Sequence, residues 1–293
     1  MRWHTGHGAD KAEIGENDPG WNFAAAAEFN ESPTISAQII GIVMEAIVLQ
    51  MIKRTLLWAT AAVAIIALVL VALITWPNPL FAFSLGAGKL TVVSDHPIPP
   101  AGGQRFLRDC ERLLERSPLK AMRREYRLYV TNEDWRQRLF FIPHREAWGF
   151  AWYYDFGGHA FLSGADFKTG QVVHWGYIGT PPRTLAYLCA HELTHVIAWE
   201  HIGLDRLHVP RWVWEGLADY VGIENRETFK QLQDALGDRP VDTPMRIKYG
   251  SYPRYRLLVT YFVEKQGWSI DQLLHTRLTE DEATEIMRAD ATR

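Results

Sequence analysis

The sequence predicts an α+β domain behind one membrane-spanning helix. Three observations carry this: a charge-free apolar run from Thr55 to Trp76, a set of short strand-like segments after it, and helical periodicity from Thr184 to the end.

The run 55–76 is long enough to cross a hydrocarbon core of about 30 Å at about 1.5 Å per residue. Trp58 and Trp76 fall near its ends, where amphipathic indoles favour the interface. Lys53 and Arg54 precede it. The positive-inside tendency keeps that end in the cytoplasm and sends the residues after Trp76 outside. The expectation is a single-pass signal anchor in the cell membrane with an extracytoplasmic domain. Secretion after cleavage of a signal peptide is the alternative.

Ahead of the run, residues 1–34 are rich in glycine and acidic residues and read as a disordered polar tail. Within it His4 and His7 read as solvated. Residues 35–52 are apolar but interrupted by Gln38, Glu45 and Gln50. A carboxylate in mid-span is costly, so this stretch reads as an apolar interfacial or partly paired helix rather than as a second span. Met51-Ile52-Lys53-Arg54 before the apolar run also has the layout of a chain start.

Pro77-Asn78-Pro79 should stop the spanning helix. Residues 77–293 then read as one further domain. It opens with an amphipathic helix at 104–116. Strands are expected at Tyr126–Thr131, Leu139–Ile142, Phe150–Tyr154, His159–Ser163 and Val172–Ile178, from β-branched and aromatic content between Gly and Pro punctuation. Helices are expected at 184–201, 211–223, 226–236, 253–266 and 280–289. The result is a small mixed sheet followed by helices.

A net charge of -3 advertises no basic face and argues against nucleic-acid binding. Cys110 and Cys189 form no CxxC pair. Cys189 lies on an expected helix two residues before His191 and reads as a buried thiol; a Cys110–Cys189 disulfide is the alternative outside the cytosol.

The chemistry concentrates in Ala190-His191-Glu192-Leu193-Thr194-His195. Histidines at i and i+4 share one helix face, so both imidazoles can reach one ion, with Glu192 beside them. The apolar stripe Leu185, Leu188, Leu193, Val196, Ile197 supports the helix, and Gly203 suits its end. An HExxH arises by chance in roughly one or two such chains per hundred, so the downstream context decides. That context is Trp214-Glu215-Gly216-Leu217-Ala218-Asp219-Tyr220 on a second helix. Gly203 and Pro210 between the two helices allow the second to fold back on the first. Two His and one Glu with a fourth position left for water make a catalytic zinc set. Asp219 follows Glu215 by four, on the same face, where it can accept the free N–H of a ligand imidazole.

Over about residues 180–224 these motifs resemble the gluzincin zinc peptidases, the thermolysin-like and aminopeptidase-like superfamily. The resemblance implies a zincin-like catalytic domain at 77–293, with Zn2+ held by His191, His195 and Glu215. It implies Glu192 as general base and Asp219 behind a ligand imidazole. It also implies a Tyr, His or Arg donor to the oxyanion from the later region, for which Tyr252 in Tyr249-Gly250-Ser251-Tyr252-Pro253-Arg254-Tyr255 is the first choice. Such folds pair an extended substrate with an edge strand before the metal helix, a place open to Val172–Ile178 or His159–Ser163. No signature for gripping a substrate amino terminus is visible, and the chain is short for the group. The implied partners are a peptide or protein substrate and, through the N-terminal helix, the membrane. A non-catalytic zincin-like domain for envelope interaction, or a zinc hydrolase of a non-peptide substrate, are the alternatives. Glu200 and His201 read as solvated, and His159, His174 and His208 as structural.

Overall fold

The computed structural model describes residues 32–119, 124–142, 145–152, 158–223 and 227–291, with the backbone alone at 32–36 and 291. The chain forms two compact units, residues 1–68 and 69–293.

In the first unit the described residues belong to α1 (Ser32–Thr75), one uninterrupted helix of 44 residues. Residues 35–52 and the run from Thr55 to Thr75 are continuous in this helix. Lys53 and Arg54 favour helix as strongly as their apolar neighbours, and no proline or glycine follows Gly41 before the helix ends. Ser32–Thr34, expected in the tail, form its first turn; the rest of the expected tail, with His4 and His7, lies outside the described residues. Apolar side chains from Ile39 to Val71 are exposed on every face. An apolar, unburied helix near the N-terminus suits a membrane anchor or a signal sequence.

In the second unit Pro77 follows the end of α1, and a short 3-10 turn at Asn78–Leu80 leads into the sheet. The strands are β1 (Phe83–Ala87), β2 (Leu90–Ser94), β3 (Tyr126–Val130), β4 (Gly149–Trp152) and β5 (His159–Leu162). They form a five-stranded sheet in the order β1-β2-β3-β5-β4. β2, β3 and β5 run parallel, while β1 and β4 are antiparallel to their neighbours. The first two strands had no counterpart in the expected set.

Period-two alternation sorts the sheet into two faces. Leu90, Val92, Leu128, Val130, Ala160 and Leu162 belong to the main core. There they meet α2 (Pro100–Glu115) and α4 (Leu185–Ile202). Val93, Tyr129 and Phe161 face the other way, against Phe81, Phe140 and Phe141. Rings stack through this second core, with Phe140 and Phe161 centroids 4.7 Å apart. It also explains a misread element. Leu139–Ile142 is no strand but the end of helix α3 (Asp134–Phe140) and the turn after it. Its apolar residues cover a sheet face instead of forming one.

β6 (Ala165–Asp166), β7 (Gln171–His174) and β8 (Tyr177–Ile178) make a separate three-stranded sheet. The expected strand Val172–Ile178 is in fact a hairpin. Trp175 and Gly176 carry φ of 47° and 81°, the left-handed pair that a two-residue hairpin turn needs. The expected strand at Phe150–Tyr154 appears as β4, and residues 153–154 lie outside the described residues.

The remainder is helical: α5 (Arg211–Gly222), α6 (Phe229–Leu236), α7 (Thr243–Tyr249), α8 (Pro253–Thr260), α9 (Ile270–His275) and α10 (Glu280–Ala291). A π turn at Tyr261–Lys265 prolongs α8. The short α7 and α9 escaped the sequence reading, although Asp242 and Ser269 cap their N-termini through side-chain acceptors. Cys110 and Cys189 are free and buried, and burial pushes the Cys110 thiol well up, as the thiol reading expected.

Candidate metal centre

α4 starts at Thr184, whose hydroxyl accepts from the Tyr187 backbone N–H at 3.1 Å. It ends at Gly203, at φ 56°. Between these caps it is buried nearly all round, from Leu185 to Ala198, between the sheet and α5. His191 and His195 therefore point into the protein and not to solvent, with relative exposures of 5% and 6%. Their rings lie 4.9 Å apart, nearly perpendicular.

α5 brings Glu215 to them. Its Oε2 lies 3.4 Å from His191 Nε2 and 3.6 Å from His195 Nε2. One ligand atom from each of the three residues falls within 4.8 Å of the others. Two glycines allow α5 to sit so close to its neighbours. A Cβ at Gly222 would meet the Tyr187 ring of α4 at 2.9 Å, and one at Gly216 would meet the Tyr255 carbonyl oxygen of α8 at 2.6 Å.

Asp219, one turn beyond Glu215, is fully buried. Its Oδ1 lies 3.0 Å from His191 Nδ1 and accepts from the Tyr187 hydroxyl at 2.6 Å. Its Oδ2 accepts from the Tyr252 backbone N–H at 2.7 Å. With Nδ1 bonded to Asp219, His191 turns Nε2 toward Glu215. His195 is held differently: its ring stacks on Trp214 at 4.9 Å and 14°, and the Arg206 guanidinium lies over the indole at 3.9 Å.

Glu192 is buried beside the triad, on the side of the sheet edge. β4 is the last strand in the order, and its Gly149 faces Glu192: a Cβ there would meet Glu192 Cγ and Oε1, each at 2.9 Å. The edge strand next to the metal helix is therefore β4. His159–Ser163, one of the two segments expected there, forms β5 in the sheet interior, and Val172–Ile178 belongs to the separate small sheet. Tyr252 is also at the site. Its ring stacks on His191 at 6.1 Å and 19°, and the Arg211 guanidinium lies 5.9 Å from the ring centroid.

Burial and the imidazole–carboxylate pairs set the electrostatics of the cluster. Burial pushes the Glu192 carboxyl up to about 7. Burial also acts upward on Glu215, but hydrogen bonds from both imidazoles outweigh it and hold that carboxyl well down. Burial would lower His191, yet Asp219 and Glu215 reverse this and raise it well above its usual value. His195 is lowered, chiefly by burial. Among the described residues no Lys or Arg lies within ion-pair distance of Glu192, Glu215 or Asp219, and the ion pairs of Glu215 and Asp219 are with the histidines. Three clustered acids without a Lys or Arg partner, with two imidazole nitrogens aimed at one of them, could hold a divalent cation.

Several other polar residues are settled elsewhere. Glu200, expected to be solvated, is half-buried and bonds Arg124 and the Tyr126 hydroxyl. His201, also expected to be solvated, pairs with Asp271 at 2.7 Å. His159 approaches the Ile74 carbonyl at 3.0 Å, His174 stacks on Trp148, and His208 is exposed. Sequence reading missed Tyr187, Gly149, Arg206 and Arg211. Tyr187 was findable, because it lies four residues before His191 on one helix face. Gly149 was not, since its contact with Glu192 spans two elements.

Comparison of the chain with protein-family models, with curated proteins and with solved structures finds no match.

Proposed function

We propose that the chain is a zinc-dependent peptidase of the gluzincin type, its domain zincin-like in fold, with His191, His195 and Glu215 as the metal ligands. The observation that carries this is the convergence of HExxH and a downstream Glu on one point, backed by a buried Asp on the first histidine. Zinc bound there would lower the pKa of water towards about 7 and polarise a carbonyl.

The chain's own residues supply the rest. Glu192 takes the proton of the attacking water and passes it to the leaving amine, and a carboxyl raised by burial suits a proton that must come and go. Asp219 fixes the His191 tautomer so that Nε2 keeps its lone pair for the ion. The Tyr252 hydroxyl, kept protonated by burial and by Glu215, donates to the oxyanion. An extended peptide adds to the edge strand β4, with its scissile bond passing Gly149 where no side chain bars the way to Glu192.

The apolar helix α1 anchors this domain in the cell membrane, with Lys53 and Arg54 inside and the domain outside. Digestion of a peptide library by the full chain, with and without a chelator, tests the activity. Zinc-dependent cleavage of peptide bonds is the expected result. Chelator-independent cleavage removes the metal mechanism. Zinc binding without cleavage leaves the non-catalytic or non-peptide reading.

A further inference from the structure

Tyr252 belongs to two places at once. One face of its ring stacks on His191, and the other side of the residue lines a cavity of about 430 Å³ between the start of α5, residues 238–241, the start of α8 and α10. Tyr255 stacks on Tyr252 at 5.8 Å and 4°, so near-parallel tyrosine rings link His191 to the lining of this cavity.

The cavity wall is rich in arginine. Arg211, Arg239, Arg246, Arg254 and Arg288 line it, against Asp238, Glu280 and Asp281. Part of this charge is committed. Arg288 pairs with Asp238, and Arg254 donates to the carbonyls of Gly237 and Arg239. Arg239 donates to the Ala235 carbonyl. A carbonyl holds a guanidinium in place without neutralising it, so positive charge remains in excess on the wall. Arg211 is exposed, at the first turn of α5 and four residues before Glu215, hence on the face that carries the ligand. Its guanidinium carbon lies 5.9 Å from the Tyr252 ring centroid, and among the described residues no carboxylate lies within ion-pair distance of it, which leaves its donors and its charge for a ligand.

We propose that this cavity is the specificity subsite of the metal centre and takes a carboxylate of the peptide substrate, gripped by Arg211 with Arg246 behind it. The inference rests on the peptidase reading for its substrate class. A planar carboxylate matches the guanidinium fork, and the ring column gives the adjoining backbone a flat apolar wall leading to the scissile bond. The carboxylate has two sources, an Asp or Glu side chain or a free C-terminus.

The test uses the full-length chain in detergent, zinc-loaded and carrying Glu192→Gln, so that binding is read without turnover. Fluorescein-labelled octapeptides with one central Glu or Gln, each with a free or amidated C-terminus, are titrated by anisotropy. A carboxylate is expected to tighten binding by about 10-fold over its neutral isostere. The arm that carries the gain, central residue or terminus, names the source. Arg211→Gln with Arg246→Gln is expected to bring the ratio near one while zinc content stays at one per chain. Equal binding of acidic and neutral peptides, no binding of any, or a preference that survives both substitutions overturns the subsite. A wild-type digest separates the two ideas. Acidic preference in binding without any cleavage sinks the peptidase reading alone, and zinc-dependent cleavage without acidic preference sinks the subsite alone.

Discussion

Nδ1 of His191 and Oδ1 of Asp219 lie 3.0 Å apart in a region closed to solvent. The same carboxylate accepts from the Tyr187 hydroxyl and the Tyr252 backbone N–H, so it ties α4, α5 and the start of α8 together. One buried charge therefore orients an imidazole and holds three elements. Asp219→Ala would strand three donors at about 1–3 kcal/mol each, enough to threaten the fold. Asp219→Asn keeps an acceptor and is the better probe. It is expected to fold, to bind zinc about 10- to 100-fold more weakly, and to regain activity with added zinc. Wild-type zinc affinity in that variant removes Asp219 from metal orientation.

The ligand set predicts a stoichiometry. The full chain is expected to carry one zinc, and His191→Ala, His195→Ala and Glu215→Ala each to lose it. Metal analysis after dialysis is the measurement. Full retention in any one variant strikes that residue from the set.

Glu192 and Gly149 predict a paired effect. Glu192→Gln is expected to keep zinc and lose nearly all hydrolysis, because an amide does not accept the water proton. Gly149→Ala puts a methyl group at 2.9 Å from Glu192 Cγ and Oε1 and from Leu162 Cδ2, so the carboxylate must shift. A displaced base is expected to cost on the order of 10- to 100-fold in kcat with zinc content unchanged. An alanine variant with wild-type kcat shows that Glu192 does not depend on this contact.

Topology is open to a direct reading. A reporter active only outside the cytoplasm, fused after residue 90, is expected to be active, since the positive-inside tendency of Lys53 and Arg54 favours keeping the preceding end inside. Activity solely from a cytoplasmic reporter reverses the assignment.

Local pattern was enough for much of this protein. The helices that carry His191, His195 and Glu215 were legible because four-residue spacing and flanking Gly and Pro act within one or two turns. The spacing of His191, His195, Glu215 and Asp219 likewise marked a shared face on each helix before any packing was known. The apolar run was legible because it needs nothing but its own composition.

Tertiary structure decided what depends on partners distant in sequence. The run Leu139–Ile142 has strand composition, but its phenyl rings are drawn to the second face of the sheet, and burial outweighs local propensity. The edge position of β4 follows from strand order, which no segment encodes alone. Glu215 approaches the histidines because Gly216 and Gly222 let α5 lie between α8 and α4, and a glycine shows its purpose only when the neighbouring backbone is present. Arg211 carried no signal in the sequence; folding set its guanidinium 5.9 Å from the Tyr252 ring, which stacks on His191. Sequence by itself determined which chemical groups share a helix face. Only the close packing of α4, α5 and α8 decided which of those faces meet, because contact across elements is a property of the folded core.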